Sequence, residues 1–266
     1  MGFARTGRPF PVAVKPDHLK QLIAGKREWM EPLSAQETEQ GFKGWYASKH
    51  LPHFDLPGAR QFITYRLADA MPVARRSEWE AFLALEEDRE KQRKIEAYLD
   101  RGYGECHLRD PRIADLVQQN LWHHDGVKYR LLAWVVMPNH VHALVEIWNV
   151  PMGGVLQSWK SYTAKEALKI LRGGDGSSPN FKPKARGEEP SPPRTFWEED
   201  YFDRYVRDDE HYGRVVRYIE NNPVKAGLVK APEEWAWSSA RYRGEPGPVV
   251  PGLTHPAARR APAPNL

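Results

Sequence analysis

The sequence predicts an α+β fold of the ferredoxin-like type, a split βαβ sandwich with an antiparallel sheet, to which an N-terminal arm and a helical insertion are added. Two apolar runs, 131–136 and 143–147, are separated by a Met-Pro-Asn turn and predict a hairpin of two central strands. Amphipathic helical patterns lie on both sides of this hairpin. The resulting order is strand, helix, strand, strand, helix, strand, helix, which is typical of this sandwich with helices on one face of the sheet.

Composition is that of a globular protein with a polyanionic partner. The chain has 266 residues, of which 41% are hydrophobic and 28% charged. The single cysteine, Cys106, excludes an intrachain disulfide and a multi-cysteine metal site, and it fits a cytoplasmic location. No apolar run is long enough for a membrane helix, and we expect no membrane association. The net charge of +4, with ten Trp and eleven Tyr, is compatible with nucleic-acid binding.

Before the central hairpin, we expect mostly irregular structure followed by one strand. Prolines interrupt the first part of the chain, where only about 17–29 has a helical pattern. The segment 44–55 is rich in aromatic residues and histidine and is expected to be an extended arm. Residues 62–67 alternate as a strand does. The densely charged stretch 77–101 predicts a protruding helix or helical hairpin inserted between elements.

Helices with recognisable ends precede and follow the hairpin. Asp110 is a favourable N-cap, and Pro111 suits the first position of a helix. A second helix is predicted over about 154–172. A strand follows at 195–202, and Asp208 begins a last helix that continues to about residue 222, where a proline follows.

These patterns divide the chain into three parts. We expect an N-terminal arm over 1–55, one domain over 56–245 and a disordered tail over 246–266. The domain carries insertions at about 77–101 and at 173–194. The second insertion is rich in Gly, Pro and Ser and has no periodicity, which predicts a mobile loop.

The pair His140 and His142 is the strongest chemical feature of the sequence. Residues two apart in a strand project from the same face, so the two imidazoles lie together. Imidazole is a common ligand of divalent metals, and the pair forms half of a metal site. An isolated His-x-His also arises as a polar pair on a solvated strand. Here, however, it begins an apolar strand, where two titratable rings are costly.

Several stretches carry a resemblance to a known family. The segment WVVMPNHVHALVEI (134–147) resembles the His-hydrophobic-His (HUH) motif of the single-tyrosine transposases. The segments RYIENNPVKAGLV (217–229) and EEWAWSSARYR (233–243) resemble the C-terminal motif of one branch, the REP-associated tyrosine transposases. The stretches HLPHFD and FITYRLADAMP are also similar to that branch, so the likeness extends over about 44–243.

This resemblance implies metal-dependent cleavage and joining of single-stranded DNA. A tyrosine hydroxyl attacks a phosphodiester, forms a 5′-phosphotyrosine and frees a 3′-hydroxyl. The position that matches the family's nucleophile is Tyr218. The matching metal ligands are His140, His142 and Asn222, with Mg²⁺ or Mn²⁺ as the expected ion. The implied partner is single-stranded or hairpin-forming DNA, and a homodimer is compatible with the family.

Two groups of residues are expected to contact that DNA. The first group is the aromatic and histidine side chains of the arm, on which unstacked bases can lie. It comprises Trp45, Tyr46, His50 and His53. The second group supplies positive charge for phosphates from the second half of the chain. It comprises Lys160, Arg204, Arg207, Arg214 and Arg217.

Other interpretations stay open at this point. Tyr162 is a second candidate nucleophile, although it also suits packing or DNA contact. Glu146 shares the strand face of His140 and His142 by period two, so it is either a further ligand or a carboxylate at the solvent edge. Two other functions also fit: a repeat-DNA-binding protein that has lost catalysis, and an unrelated metal-binding ferredoxin-like domain without DNA affinity.

Overall fold

A four-stranded antiparallel sheet forms the centre of the protein in a computed structural model. The structure describes residues 16–28, 30–48, 51–83, 88–173 and 195–243. Its helices are α1 (Pro16–Arg27), α2 (Ala35–Glu39), α3 (Arg76–Leu83), α4 (Asp88–Leu99), α5 (Pro111–His123), α6 (Met152–Leu171) and α7 (Asp209–Lys225). Its strands are β1 (Gly44–Ser48), β2 (Leu51–Asp55), β3 (Arg60–Arg66), β4 (Tyr129–Val136), β5 (His140–Ile147) and β6 (Phe202–Tyr205).

The strand order confirms the predicted fold class. The sheet runs β4-β5-β3-β6, and every neighbouring pair is antiparallel. The chain passes through β3, α5, β4, β5, α6 and β6 in turn. In this arrangement the first and third strands of the set lie in the middle, which is the split βαβ order of the ferredoxin-like sandwich.

Helices cover both faces of the sheet, so the expectation of helices on one face only was wrong. On β5, Val141 and Val145 point into the larger core, which α5 and α6 cover. Leu144 points to the opposite face and packs in a smaller core with Val216 and Ile219 of α7. The last helix has its own apolar stripe and buries it on the face that the split βαβ units leave open. His140 and His142 share the Leu144 face and therefore lie beneath α7.

The charged stretch 77–101 is helical as predicted, but it does not protrude. Ile95, Tyr98 and Leu99 of α4 are all buried in the larger core. Their spacing places them on one stripe of an otherwise charged helix, and this stripe anchors α4 to the domain. Gly102, in the left-handed conformation, follows the helix and donates its backbone N–H to the Leu99 carbonyl.

Two predicted strands differ from the observed ones. Residues 44–55 form the antiparallel hairpin β1–β2, in which Gly44 pairs with Asp55, rather than an isolated extended arm. The strand expected at 195–202 begins only at its last residue, because the ladder between β3 and β6 covers 202–205. The aromatic residues before β6 instead fill the larger core, with a single bridge between Leu67 and Trp197.

Some expectations concern residues outside the described ranges. These are His50, nearly all of the loop predicted at 173–194, and the tail predicted at 246–266. Among the helices that the structure describes, none is long and apolar enough to span a membrane.

Candidate active site

The two histidines of β5 face each other beneath α7. Both rings are fully buried, and the distance between the Nε2 atoms of His140 and His142 is 3.1 Å. Burial lowers the pKa of His140 to about 3, with the Lys225 ammonium as the second cause. Burial also holds the pKa of His142 well below its ordinary value, and His140 and Lys225 add to the effect. Both rings are therefore neutral at physiological pH, which is the form that binds metals.

The outer nitrogen of each ring has its own partner. His140 Nδ1 lies 2.7 Å from Asn139 Oδ1, while Asn139 Nδ2 donates to the Tyr103 carbonyl. His140 Nδ1 therefore carries the hydrogen, and its Nε2 presents a lone pair. His142 Nδ1 lies 2.7 Å from Thr64 Oγ1 on the adjacent β3. A hydroxyl both donates and accepts, so Thr64 can serve either tautomer of His142.

Helix α7 brings Tyr218 and Asn222 to the same place. The ring of Tyr218 meets that of His142 edge-on, with 5.4 Å between the ring centroids. Asn222 lies one turn further along the helix and is fully buried. The Tyr218 hydroxyl and both amide atoms of Asn222 are buried without a hydrogen-bond partner among the described residues. Buried polar atoms without partners are rare in proteins and indicate a place where a ligand belongs.

Acidic groups from α4 and a lysine from α7 complete the surroundings of Tyr218. Burial raises the pKa of Tyr218 above its ordinary value, and the carboxylates of Glu96 and Asp100 raise it further. Lys225 Nζ lies 2.7 Å from Asp100 Oδ2 and 5.5 Å from the centre of the Tyr218 ring. The lysine side chain is half exposed, so a cation lies at the opening of the site.

The donor set fits a divalent metal with open positions. Two ligands at right angles on an octahedral ion with bonds of about 2.1 Å lie about 3 Å apart, close to the 3.1 Å between the Nε2 atoms of His140 and His142. The unpartnered Asn222 amide is the third candidate ligand. Within the described ranges no group of three or more His, Cys, Asp or Glu side chains is placed to hold a metal. The remaining ligands would therefore come from water or a phosphate.

The two alternative site residues lie elsewhere. Glu146 shares the face of His142, but Leu144 intervenes, and four residues of strand span about 13 Å. Its carboxylate accepts from the Trp148 indole and lies 3.7 Å from Arg60 Nε. Tyr162 is 52% exposed on α6, on the opposite face of the sheet. Neither side chain reaches the two imidazoles.

The hairpin residues expected to contact DNA differ in exposure. Trp45 is partly exposed, and Lys26 Nζ lies 4.0 Å above its ring. The Tyr46 hydroxyl lies 3.2 Å from the Tyr201 hydroxyl, which fixes its orientation. His53 is fully buried, so its ring offers no surface for a base.

His53 instead lies between two carboxylates. Its Nδ1 is 2.6 Å from Asp203 Oδ1, and its Nε2 is 3.4 Å from Asp200 Oδ1. Burial alone would lower the pKa of His53, but Asp200 and Asp203 outweigh it and raise the pKa to about 9. His53 is therefore a structural cation that joins the hairpin to the segment around β6.

Lys160 also serves the fold. Its ammonium donates to the backbone carbonyls of Glu198, Glu199 and Asp200 at 3.0, 3.1 and 3.2 Å. Burial lowers its pKa to about 8, against the carboxylates of Asp200 and Glu198. All three donors of the ammonium are thus used within the protein, and Lys160 holds the segment that carries Asp200.

The arginines form a basic surface around the start of α7. Arg204, Arg207 and Arg214 all act on His211: its burial lowers the pKa of His211 first, and their charges lower it further. Arg214 also pairs with Glu210. Arg207, Arg214 and Arg217 are exposed. This surface, Arg204, Arg207, Arg214 and Arg217, is called the basic face below.

Three site residues were missed in the sequence. Lys225 stands within the NPVKAG motif, yet a lysine in a last helical turn is usually explained by the helix dipole. Thr64 is visible as a polar residue of an alternating strand, but its contact depends on strand pairing. Asp100 falls in the charged stretch, where sequence pattern does not separate an inward carboxylate from a solvated one.

Comparisons with known proteins point in one direction. No family model matches the chain. The chain is 27% identical to the REP-associated tyrosine transposase of Escherichia coli (strain K12) over 117 residues, which cover 42% of this chain and 54% of that protein. It is also 27% identical over 105 residues to an uncharacterized protein of Haemophilus influenzae, covering 36% of this chain and 54% of that protein. The chain spans about half the length of the curated relatives it matches.

One solved structure is also similar in part. It is that of a REP-associated tyrosine transposase bound to a REP hairpin, with 15% sequence identity and a TM-score of 0.40. The match covers 73% of this chain and 84% of that one. The fold assignment rests on the strand order described above.

Proposed function

We propose that the protein is a metal-dependent DNA strand transferase that cleaves single-stranded or hairpin-forming DNA through a covalent bond to Tyr218. The observation that carries this proposal is the convergence of Tyr218, two neutral imidazoles and an unpartnered amide in one buried site. The similarity to a REP-associated tyrosine transposase supports the same reaction class. The DNA would be a repeat that folds into a hairpin.

In the proposed reaction Tyr218 is the catalytic residue. Its hydroxyl oxygen forms a bond to phosphorus, and the bond from phosphorus to the 3′ oxygen breaks. The hydroxyl proton leaves to a base, and the freed 3′ oxygen takes up a proton, so that a 5′-phosphotyrosine and a 3′-hydroxyl result. Glu96, whose charge acts on the Tyr218 hydroxyl, is a candidate acceptor for that proton. Reversal of these steps on another end joins the strands.

His140, His142 and Asn222 would hold Mg²⁺ or Mn²⁺. A divalent ion supplies polarisation of a phosphate oxygen and stabilises the charge that develops there. Asn139 and Thr64 would keep the two rings in orientation through their Nδ1 atoms. Lys225, half exposed beside Tyr218, would receive a phosphate oxygen of the bound strand.

The basic face would hold the flanking DNA. Arg214 and Lys225 lie on the same side of α7 as Tyr218, one before and one after it along the helix. A strand that follows this line meets positive charge on both sides of the nucleophile. Such contacts position a backbone without reading its sequence.

The test is formation of a covalent adduct. A labelled hairpin oligonucleotide with a single-stranded foot is incubated with protein and Mn²⁺ and then run on a denaturing gel. We expect an adduct with the wild type and none with Tyr218→Phe, which keeps the ring but loses the nucleophile. Tyr162→Phe, on the other face of the sheet, is the matched control and retains the adduct. A wild-type adduct level in Tyr218→Phe would reject the assignment.

A second candidate function is DNA binding without catalysis. One observation favours it: burial, Glu96 and Asp100 all raise the pKa of Tyr218, which keeps the phenol protonated. A binder needs the basic face but not the nucleophile. The same gel separates the two, because a binder forms no adduct with either metal while it retards the hairpin in a native gel.

A further inference from the structure

Asp100, at the end of α4, lies between two groups of the candidate site. Its Oδ2 is 2.7 Å from Lys225 Nζ, and its side chain is nearly buried. Its Oδ1 is buried and has no hydrogen-bond partner among the residues that the structure describes. One oxygen of this carboxylate is thus engaged by a cation, and the other is available.

Asn222 is the neighbour that can use this available oxygen. Burial raises the pKa of Asp100, whereas Lys225 and the Asn222 amide oppose the rise, which places the amide against the carboxylate. Both amide atoms of Asn222 lack a described partner. A carboxylate only accepts hydrogen bonds, so it faces the NH₂ group of the amide and leaves the amide oxygen for the opposite side. Metals of this class bind amides through oxygen.

We infer that Asp100 is a positioning residue of the site: it orients the Asn222 amide so that its oxygen is presented to a metal, and it holds the Lys225 ammonium beside Tyr218. This inference rests on the proposed function and adds to it a part for α4. The helix comes from the stretch between β3 and α5, which the likeness to known transposases leaves outside its motifs. The site would then be assembled from four elements, β3, β5, α7 and the end of α4.

Charge balance supports the same role. The Lys225 ammonium lies close enough to lower the pKa of both His140 and His142, so by itself it opposes a second cation at their nitrogens. The Asp100 carboxylate neutralises it at 2.7 Å. When a phosphate approaches, the half-exposed ammonium can contact it while it remains paired. Asp100 therefore acts on both the amide and the ammonium without contact to DNA.

The anchoring of α4 fixes Asp100 in place. Ile95, Tyr98 and Leu99 are buried, and the backbone N–H of Asp100 donates to the Glu96 carbonyl. Gly102 then turns the chain away. The carboxylate is thus carried on a packed helix end rather than on a free loop, as a positioning group requires.

The experiment measures Mn²⁺ affinity in the absence of DNA, by the electron paramagnetic resonance signal of free Mn²⁺ during titration of the full chain. Asp100→Asn keeps the shape but removes the charge and the acceptor preference, and we expect a loss of about 10- to 100-fold in affinity, as for other groups that orient metal ligands. Glu90→Gln, which makes the same charge change elsewhere on α4, is expected to bind within twofold of the wild type. Glu90 pairs with Lys94 on the outer part of that helix.

Two further variants separate positioning from simple charge or stability. Lys225→Met removes the competing cation and is expected to leave Mn²⁺ affinity equal or higher while it weakens DNA binding. Asp100→Glu keeps the carboxylate and is expected to recover part of the affinity. Thermal unfolding without metal confirms that each variant is folded. Lys225 stays solvated in Asp100→Asn because half of its side chain is exposed.

The outcomes are distinguishable. A wild type that binds Mn²⁺ together with a folded Asp100→Asn that binds it equally well overturns the inference and leaves the proposed function intact. A wild type that binds no Mn²⁺ overturns both the metal part of the proposed function and the inference. Loss of Mn²⁺ affinity in Asp100→Asn but not in Glu90→Gln supports the inference.

Discussion

The rings of Tyr218 and His142 meet edge-on at 5.4 Å, although they come from the last helix and a central strand. This contact brings the only tyrosine of the NNPVKAG segment's helix turn against the His-x-His pair. It depends on α7 covering the face of the sheet that α5 and α6 leave open. The first prediction concerns the two rings beneath it.

Replacement of either histidine of β5 removes metal-dependent cleavage. We expect His140→Ala and His142→Ala each to abolish Mn²⁺ binding in a titration and strand cleavage in a gel assay, because a site with one imidazole loses half of its nitrogen ligands. Glu146→Gln, on the same face of β5 but about 13 Å away, is the control and keeps both. Cleavage by the wild type in excess EDTA at its normal rate would contradict the metal role.

The basic face sets the salt dependence of DNA binding. Arg207→Ala and Arg217→Ala are each expected to weaken hairpin binding and to reduce the slope of log affinity against log salt by about 0.7 to 0.9, the value of one phosphate contact. Lys169→Ala, an exposed lysine of α6 that pairs with Glu166, is the matched control on the other face of the sheet.

Filter binding with hairpin, linear single strand and duplex, each at several salt concentrations, gives these slopes. We expect the hairpin to bind best. A slope that Arg207→Ala and Arg217→Ala leave unchanged, with Lys169→Ala lowering it, would move the DNA to the opposite face.

The ion pairs of His53 predict a pH-dependent stability. The folded-state pKa of about 9 exceeds the ordinary 6.5, so the contribution is fully present below pH 6.5 and is lost as the pH rises through 9. It amounts to at most about 3 kcal/mol. We expect the difference in free energy of unfolding between the wild type and His53→Gln to fall by up to this amount between pH 6.5 and 9.5.

The difference, rather than the wild type alone, is the quantity to measure by urea unfolding. Lys160, whose pKa burial lowers to about 8, titrates in the same window with the opposite sign, and it is present in both proteins. Asp55, whose pKa burial raises to about 6, titrates below the window. A difference that does not change with pH would mean that His53 is neutral between its two carboxylates.

Two glycines separate steric from conformational effects. Gly58 and Gly104 both have positive φ, 74° and 89°. A Cβ on Gly58 meets nothing within 4 Å, so Gly58→Ala is expected to destabilise only by the left-handed strain of about 1–2 kcal/mol. A Cβ on Gly104 would lie 2.5 Å from the Asp69 carbonyl oxygen, and overpacking adds about 1–3 kcal/mol. Equal unfolding midpoints in urea for the two variants would refute this reading of the turn.

Sequence pattern was sufficient where the period of one element decides the outcome. The alternation of β5 placed His140 and His142 on one face, and the helical period placed Tyr218 and Asn222 on one flank of α7. Asp110 does cap α5, where its side chain accepts from the Arg112 backbone N–H.

Pattern was insufficient where contacts come from distant parts of the chain. His53 was expected to meet DNA, because nothing near it in sequence announces the carboxylates of Asp200 and Asp203. The aromatic residues before β6 resemble a strand, yet their burial in the core moved the ladder further along the chain. Asp100 belongs to a charged run whose inward side is defined only by the packing of α4.

Strand register determines which face of β5 carries the chemistry. His142 pairs with Thr64 on one side and with Val135 on the other. A slip of one residue against both neighbours would turn the imidazoles toward α5 and α6 and bring Val141 and Ala143 under Tyr218. The turn at 137–139, which sets this register, therefore tolerates substitution more readily than a change of length. An insertion or deletion of one residue there would leave a foldable hairpin whose nucleophile faces valine and alanine.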